Sequence, residues 1–329
     1  MEHESNGGRQ NGDMVAALIQ AAGRRTEPPA DAYRQVLDAA MTALREKSRR
    51  RRERSWLIGA AAAGIAAVSV MLLLQRGEVS LQPRMATVVR TIGAVELRSG
   101  ERWKPLVESG GAIPAGTSLR TLAGGGAALS LGDGTSLRLA ATTEVQFDGP
   151  RHILLRDGML YLDNRASLGT GFRIGTPLGT VHDIGTQFEV RVADGMLRLR
   201  VREGHVEIDR AGERLTGGAG EQLEIDVLGG VTRSMIGTTD PAWRWAETMA
   251  PAPDIDGRPA TELLAWVARE TGRRLRYQSP DVEQRAATVI LHGNIRHLAP
   301  LAALDAMLAT TDLEYVLEGD TMEIRARTE

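Results

Sequence analysis

Hydrophobic and polar residues alternate through the middle of the chain, from Thr87 to about Thr232. The alternating runs are short, and glycine, often next to aspartate, separates them every ~8–12 residues. Runs of this kind predict β-strands with one buried face, and no helical period interrupts them. We therefore expect an all-β domain, solenoid-like or sandwich-like, over residues 76–236. The even spacing of such short strands favours the solenoid.

After residue 236 the pattern changes to a mixture of helical and alternating runs, which predicts a small α+β module over residues 237–329. PATELLAWVARETG and APLAALDAMLATT have the helical period, with Leu263, Leu264 and Val267 facing inward in the first helix. DIDG, RRLRY and ATVILHG are interpreted as strands. LEYVLEGDTMEIRA is interpreted as a hairpin that turns at Gly319 and Asp320. The predicted order is β-α-β-β-α-β-β.

Residues 1–54 carry two apolar stripes with helical spacing. A unit this small buries little apolar surface by itself, so the stripes favour docking into the groove of a partner protein. A self-packed helical hairpin is the alternative. The candidate contact residues are Val15, Leu18, Ile19, Tyr33, Val36, Leu37, Met41 and Leu44.

Residues 55–75 form an uncharged apolar segment, which we interpret as a transmembrane helix. From Trp56 to Leu74, as a helix, it would extend roughly 28 Å, about one hydrocarbon core. A buried core helix is the alternative. The positive-inside rule then places residues 1–54 in the cytoplasm and the remainder outside. The basic residues that set this orientation are Lys47, Arg49, Arg50, Arg51, Arg52 and Arg54. The predicted fold class is thus a multi-domain membrane protein: a short α-helical cytoplasmic region, one transmembrane helix, an all-β domain and an α+β module.

Composition and charge exclude several kinds of chemistry. The 329-residue chain has a net charge of −2 and no cysteine, so disulfides and thiolate metal sites are absent. The basic run before the apolar segment is explained by topology and by anionic lipid, and we expect no direct binding of nucleic acid. The histidines lie singly, without the spacing of a metal site, and no nucleophile elbow is present. We expect no metal and no cofactor, and a membrane-anchored hydrolase is a minor alternative.

Residues 172–208 hold an ordered series of glycine, proline, threonine and aromatic positions, FRIGTPLGTVHDIGTQFEVRV and MLRLRVREGHVEI. This series resembles the F-x-v-x-T-P, G-T-x-F-x-V and v-x-v-x-E-G-x-V pattern of the FecR family of transmembrane anti-sigma regulators in Gram-negative bacteria. The final module, residues 237–329, is similar to the secretin-and-TonB N-terminus (STN) fold that some members of the family carry. The chain departs from the family in having no tryptophan before Trp56. The positions that match the pattern are Phe172, Thr176, Pro177, Gly185, Thr186, Phe188, Val190, Glu203, Gly204 and Val206.

The resemblance implies a regulator of an extracytoplasmic-function sigma factor and no enzymatic role. Such a protein is a single-pass inner-membrane protein with a cytoplasmic N-terminus and a periplasmic C-terminus. Its periplasmic partner would be the signalling domain of a TonB-dependent outer-membrane receptor, usually for iron-siderophore uptake, and envelope proteases would complete the relay. The alternative is a membrane-anchored periplasmic protein that docks into a secretin or transporter assembly and binds no sigma factor.

The resemblance also implies one possible reaction, self-cleavage at the bond between Gly185 and Thr186. The threonine hydroxyl would attack the glycine carbonyl and convert the amide to an ester. His182 is close enough in sequence to be a candidate base. The alternative is that this pair, like the other Gly-Thr pairs of the chain, is only a turn that leads into a strand.

Overall fold

The computed structural model describes residues 84–106, 110–164, 171–183 and 185–327, together with five residues nearer the N-terminus. The chain divides into two compact units, Met1–Ser80 and Leu81–Glu329. The five described residues of the first unit are all helical and exposed, and they are Arg34, Asp38, Ala39, Met41 and Thr42. Thr42 donates a hydrogen bond from its hydroxyl to the carbonyl of Asp38 at 2.7 Å, one helical turn away. The other candidate partner contacts and the basic residues 47–54 lie outside the described residues.

The predicted fold class, a membrane protein with one transmembrane helix, is wrong. Strands dominate the described part of the chain, and none of its helices is both long and apolar enough to cross a membrane. The segment 55–75 itself lies outside the described residues. The expectation depended on an apolar run rich in alanine and glycine, and these residues supply little hydrophobic area compared with leucine or isoleucine.

The first part of the unit Leu81–Glu329 consists of strands joined in one hydrogen-bonded system, which folds into two sheets. The strands are β1 Arg84–Ile92, β2 Val95–Arg98, β3 Trp103–Pro105, β4 Ala112–Pro114, β5 Ser118–Thr121, β6 Gly126–Leu131, β7 Ser136–Leu139, β8 Thr143–Gly149, β9 His152–Asp163, β10 Arg173–Thr176, β11 Gly179–Asp183, β12 Gln187–Ala193, β13 Met196–Glu203, β14 His205–Arg210, β15 Glu213–Gly218, β16 Glu221–Asp226 and β17 Val231–Met235.

The first sheet has the order β4-β1-β6-β7-β9-β12-β13-β16-β17, and the second has the order β3-β2-β5-β8-β9-β10-β11-β14-β15. The long strand β9 belongs to both sheets. Its first half pairs with β8 and β10, and its second half pairs with β7 and β12. The pairs are antiparallel except for β9 with β10.

The two sheets enclose one apolar core, to which the inward residues of both contribute. On β13, Leu197, Leu199 and Val201 are buried in this core, while the arginines between them lie on the outer face. Successive hairpins alternate between the sheets: β10–β11 in the second, β12–β13 in the first, and so on to β17. The architecture is a sandwich, and the even strand spacing that favoured a solenoid arises from this alternation of hairpins.

The segment that follows β17 covers part of the outer face of the first sheet. It contains a 3₁₀ turn, Pro241–Trp243, and the short helix α1, Arg244–Thr248. Asp240 begins the turn, because its carboxylate accepts a hydrogen bond from the backbone N–H of Ala242 at 2.8 Å. Trp243 is fully buried against Tyr161 of β9.

The remaining elements build a second apolar core from helices and two small sheets. They are β18 Arg258–Pro259, α2 Ala260–Glu270, β19 Arg274–Tyr277, α3 Pro280–Thr288, β20 Ile290–Leu291, α4 Pro300–Leu308, β21 Leu313–Glu318 and β22 Thr321–Ala326. β18 pairs with β20, and β22 lies between β19, to which it is parallel, and β21. We call residues 251–327 the C-terminal module.

The predicted order of this module differs from the observed one, β-α-β-α-β-α-β-β. DIDG is not a strand, and the strand predicted in ATVILHG is reduced to Ile290–Leu291. The additional helix α3 begins after Ser279, whose hydroxyl caps the N–H of Val282, and has proline in its first turn. These are ordinary helix-start signals, and they outweigh the β-branched residues at the end of the segment.

Candidate functional site

The bond between Gly185 and Thr186 lies in the turn between β11 and β12, at one end of the sandwich. Gly185 has a φ of +71°, in the left-handed region that a residue with a side chain adopts at a cost. Thr186 is fully buried and leads directly into β12. A glycine in the left-handed conformation is therefore followed by a threonine that is shielded from water.

The hydroxyl of Thr186 donates a hydrogen bond to Oδ2 of Asp183, at 3.2 Å. The same oxygen accepts from the side-chain amide of Asn164 at 2.9 Å, and Oδ1 accepts from the N–H of Phe172 at 2.6 Å. The hydroxyl of Thr135 in turn donates to Oδ1 of Asn164 at 2.9 Å. These side chains form a buried polar chain that fixes the orientation of the Asp183 carboxylate.

Burial raises the pKa of Asp183, although the hydrogen bonds from Asn164, Phe172 and Thr186 act in the opposite direction. A carboxylate with a raised pKa accepts a proton more readily than an exposed one. Asp183 is therefore both positioned and suited to take a proton from the Thr186 hydroxyl.

His182 does not contact this cluster. It lies on β11 next to Asp183, so its side chain points to the other face of the sheet. There its Nε2 lies 3.2 Å from Oδ2 of Asp209. The structure thus separates His182 from Thr186 and brings Asp183 to the hydroxyl in its place.

Gly204, in the turn between β13 and β14, lies against the side chain of Thr186. It has a φ of +85°, and a Cβ atom at this position would lie 2.4 Å from Cγ2 of Thr186. Glycine at position 204 of the motif therefore allows the backbone to approach the buried Thr186.

The other motif positions are structural. Phe172, Phe188, Val190 and Val206 are buried in the sandwich core. Thr176 and Pro177 belong to the tight turn between β10 and β11, where the Thr176 hydroxyl donates to the carbonyl of Gly179 at 2.7 Å. Glu203 is exposed at the end of β13.

A second feature of note is the junction between the sandwich and the C-terminal module. Arg138 of β7 is completely buried there. Its Nη1 donates to the carbonyl of Ala246 at 2.8 Å, its Nη2 lies 2.7 Å from Oε2 of Glu270, and its guanidinium lies 5.0 Å from the ring centre of Tyr161. Burial by itself would lower the pKa of Arg138, but the nearby negative groups, Glu270 first, outweigh it and raise that pKa.

Arg202 of β13 is the second buried arginine of the junction. Its Nε donates to the carbonyl of Thr238 at 2.7 Å, and its Nη1 donates to the carbonyl of Glu270 at 2.8 Å. Its Nη2 pairs with Oε1 of Glu247 at 2.8 Å, and the guanidinium lies 5.2 Å from the ring centre of Trp243. Arg202, from the first sheet, therefore contacts both the segment that follows β17 and the end of helix α2.

Sequence reasoning did not identify Asp183, Asn164, Arg138 or Arg202 as site residues. An alternating pattern shows which face of a strand is polar, but not whether another element covers that face. The tryptophans of PAWRW were the available signal, because aromatic residues this large require a surface to bury them. In the described part of the chain, no cluster of three or more His, Asp or Glu side chains could hold a metal ion.

Residues 117–207 match the model of the family described as FecR protein. The chain contains a FecR domain. All ten motif positions, the Asp183–Thr186 cluster and both junction arginines lie within the matched residues. The FecR domain thus supplies most of the sandwich, from β5 to β14.

Two crystal structures, at 1.65 and 2.50 Å resolution, of a protein from Parabacteroides distasonis described as a "putative anti-sigma factor" are similar to part of the chain. Each has 18% sequence identity and covers 64% of this chain and 99% of that protein, with TM-scores of 0.36 and 0.35. No curated protein shows significant sequence similarity to the chain.

Proposed function

We propose that the protein regulates a sigma factor. The FecR domain at residues 117–207 is the observation that carries this proposal.

The sigma-binding surface in this proposal is the apolar stripe of residues 33–44. Met41 belongs to the stripe, and in the first unit its side chain is exposed although it is apolar. Ala39, two residues earlier, lies about 200° around the same helix and is outside the stripe. An apolar stripe on an exposed helix fits a groove on a partner protein.

The test is co-purification of the tagged full-length chain from its own bacterium, with the retained proteins identified by mass spectrometry. Retention of a sigma factor is expected, and Met41→Asp should reduce it at least tenfold because a charge replaces an apolar contact. Ala39→Asp introduces the same charge on the other side of the helix and should retain the sigma factor as the parent chain does. If no sigma factor is retained by the parent chain, the proposal is wrong.

The unit Leu81–Glu329 would be the part that receives the signal. In this proposal its partner is the signalling domain of a TonB-dependent receptor, and proteases act on the chain after that contact. The buried pairs of the junction favour a receiving unit in which the FecR sandwich and the C-terminal module move together, because breaking them exposes buried charges. A receptor signalling domain that neither binds the chain nor changes sigma-dependent transcription would contradict this part.

Self-cleavage between Gly185 and Thr186 is a second candidate, which the Thr186–Asp183 hydrogen bond favours. The Oγ1 of Thr186 would attack the carbonyl carbon of Gly185 while its proton passes to the Asp183 carboxylate. The C–N bond then breaks as the amide nitrogen takes this proton back from Asp183, which leaves an ester and a free α-amine on Thr186. Water hydrolyses this ester to a new carboxylate and regenerates the hydroxyl.

Three variants test the cleavage, with a tag at each end of the chain and detection of fragments by immunoblot. The parent chain and Thr186→Ser, which keeps a hydroxyl, should both give two fragments. Thr186→Ala should stay intact, and Asp183→Asn should be cut at least tenfold more slowly. An uncut parent chain would rule out the reaction without affecting the proposed sigma regulation.

A further inference from the structure

A cavity of about 570 Å³ opens beside the junction, where the FecR sandwich meets the C-terminal module. The sandwich contributes Gln187 and Glu203 from the ends of β12 and β13. Helix α2 and strand β19 form the opposite wall, and Asp320 at the tip of the β21–β22 hairpin lies at the margin. The volume is in the range of sites for small molecules.

Four of the six charged residues that line this cavity are arginines. Its charged lining residues are Arg202, Arg269, Arg273, Arg274, Glu203 and Asp320. Two of the arginines are already paired: Arg202 with Glu247 at 2.8 Å, and Arg269 with the buried Asp163 at 2.6 Å. These two hold the wall of the cavity in place.

Arg273 has no such pairing. No carboxylate of the described residues lies within the distance of an ion pair from its guanidinium, and its nearest polar contact is from Nη1 to the carbonyl of Thr271 at a long 3.4 Å. Its Nε is buried and donates to no acceptor in the described part of the chain. The Nε of Arg269 is in the same condition. Among the four arginines of the cavity, Arg273 is therefore the one that has no carboxylate partner in the described part of the chain, and its charge is available to a ligand.

Arg274 adds a charge that a ligand could use. Its side chain is 76% exposed and pairs with the half-exposed Asp320 at 2.7 Å, and an exposed pair of this kind contributes little free energy. An incoming anion can therefore compete for Arg274 at small cost. Guanidinium groups bind carboxylates and phosphates through paired N–H···O bonds, which matches an arginine-lined cavity.

We propose that this cavity binds a small oxyanion, a carboxylate or phosphate compound, with Arg273 as the principal contact and Arg274 and Arg269 in support. Gln187 lines the site from the sandwich side, where its side-chain amide donates to the buried Asp163 at 3.1 Å. Such a ligand would contact both the FecR sandwich and the C-terminal module, so its binding would stabilise the junction. The inference does not depend on the proposed sigma factor.

Isothermal titration calorimetry of the purified full chain tests the proposal, with inorganic phosphate and succinate as separate probes at constant ionic strength. We expect saturable binding of at least one probe and a rise in melting temperature at saturation. Arg273→Gln should weaken that binding about tenfold or more, since a charge-assisted hydrogen bond is lost. Arg274→Gln, at an exposed position where folding is not at risk, should weaken it severalfold.

The matched control is Arg276→Gln, on the same strand. Arg276 is 59% exposed, pairs with Glu323 at 2.8 Å and does not line the cavity. It should bind the probe within a factor of about two of the parent chain, since the same change in net charge occurs outside the site. Binding of phosphate alone or of succinate alone supports the site and identifies its chemistry. No binding of either probe, or equal loss in Arg273→Gln, Arg274→Gln and Arg276→Gln, would overturn the proposal.

Discussion

Arg138 of the FecR sandwich and Glu270 at the end of helix α2 form an ion pair inside the protein, with Nη2 and Oε2 separated by 2.7 Å and both side chains buried. The pair joins the two parts of the unit Leu81–Glu329 that have separate apolar cores. The contribution of this pair to stability depends on both partners, because each charge compensates the other in a region shielded from solvent.

Replacing one partner of this pair should be severely destabilising. Glu270→Gln removes the carboxylate that pairs with the buried guanidinium of Arg138, and we expect the free energy of unfolding to fall by about 3–5 kcal/mol. Chemical denaturation followed by tryptophan fluorescence measures this change. Glu318→Gln, which removes an exposed partner of Arg325, is the control and should cost less than about 1 kcal/mol. Equal losses in the two variants would show that burial of the pair is unimportant.

Gly204→Ala should destabilise the sandwich through one identified contact. The new Cβ would lie 2.4 Å from Cγ2 of Thr186, at a backbone φ of +85°. We expect a loss of about 2–4 kcal/mol from strain and overpacking together. Thr186→Ser removes the Cγ2 methyl group, so in the Gly204→Ala background it should recover the overpacking part. A double-mutant cycle measured by urea denaturation tests this, and strictly additive effects would contradict the contact.

Tyr161→Phe should leave stability unchanged or raise it. The Tyr161 hydroxyl is buried and has no hydrogen-bond partner in the described part of the chain, and burial raises its pKa to about 12. Phenylalanine removes an unsatisfied group and keeps the ring contact with Trp243. We expect the free energy of unfolding to stay the same or increase by up to about 1 kcal/mol. A decrease of that size would indicate an acceptor for the hydroxyl.

The stability of the sandwich should depend on pH through Asp183. Its pKa is raised in the folded protein, so the folded state binds more protons than the unfolded state between the usual aspartate value of about 4 and the raised value. In that window the contribution of Asp183 to stability falls as the pH increases, and above it the full cost of the buried charge is present. Urea denaturation of the parent chain and Asp183→Asn across pH 4–8 isolates this contribution. The difference between the two should change with pH, and parallel curves would contradict the shift.

The sequence predicted the elements whose pattern of apolar and polar residues lies within a single strand, hairpin or helix. MLRLRVRE has strict alternation and forms β13, and the LEYVLEGDTMEIRA hairpin turns at Gly319, which has a φ of +58°. The helical period of PATELLAWVARETG corresponds to α2, with Leu263, Leu264 and Val267 buried as expected. In each case the signal lies within one element.

The junction could not be predicted in the same way, because it depends on contacts between distant segments. Arg198, Arg200 and Arg202 alternate with apolar residues on β13, which is typical of a solvent-facing side of a strand. In the structure the segment with Trp243 covers this side and buries Arg202. The polar chain around Asp183 could not be predicted for the same reason, since Thr135, just before β7, and Asn164, just after β9, reach it from distant parts of the sequence.

Strand β9 has a consequence for the way in which the sandwich opens. Because its two halves belong to different sheets, neither sheet can detach without disrupting hydrogen bonds of the strand they share. The loss of either sheet is thus coupled to the loss of the other, and the backbone amides at the centre of β9 should exchange with solvent deuterium only when the whole sandwich unfolds. We therefore expect the sandwich to unfold as one cooperative unit, with β9 as its slowest-exchanging strand.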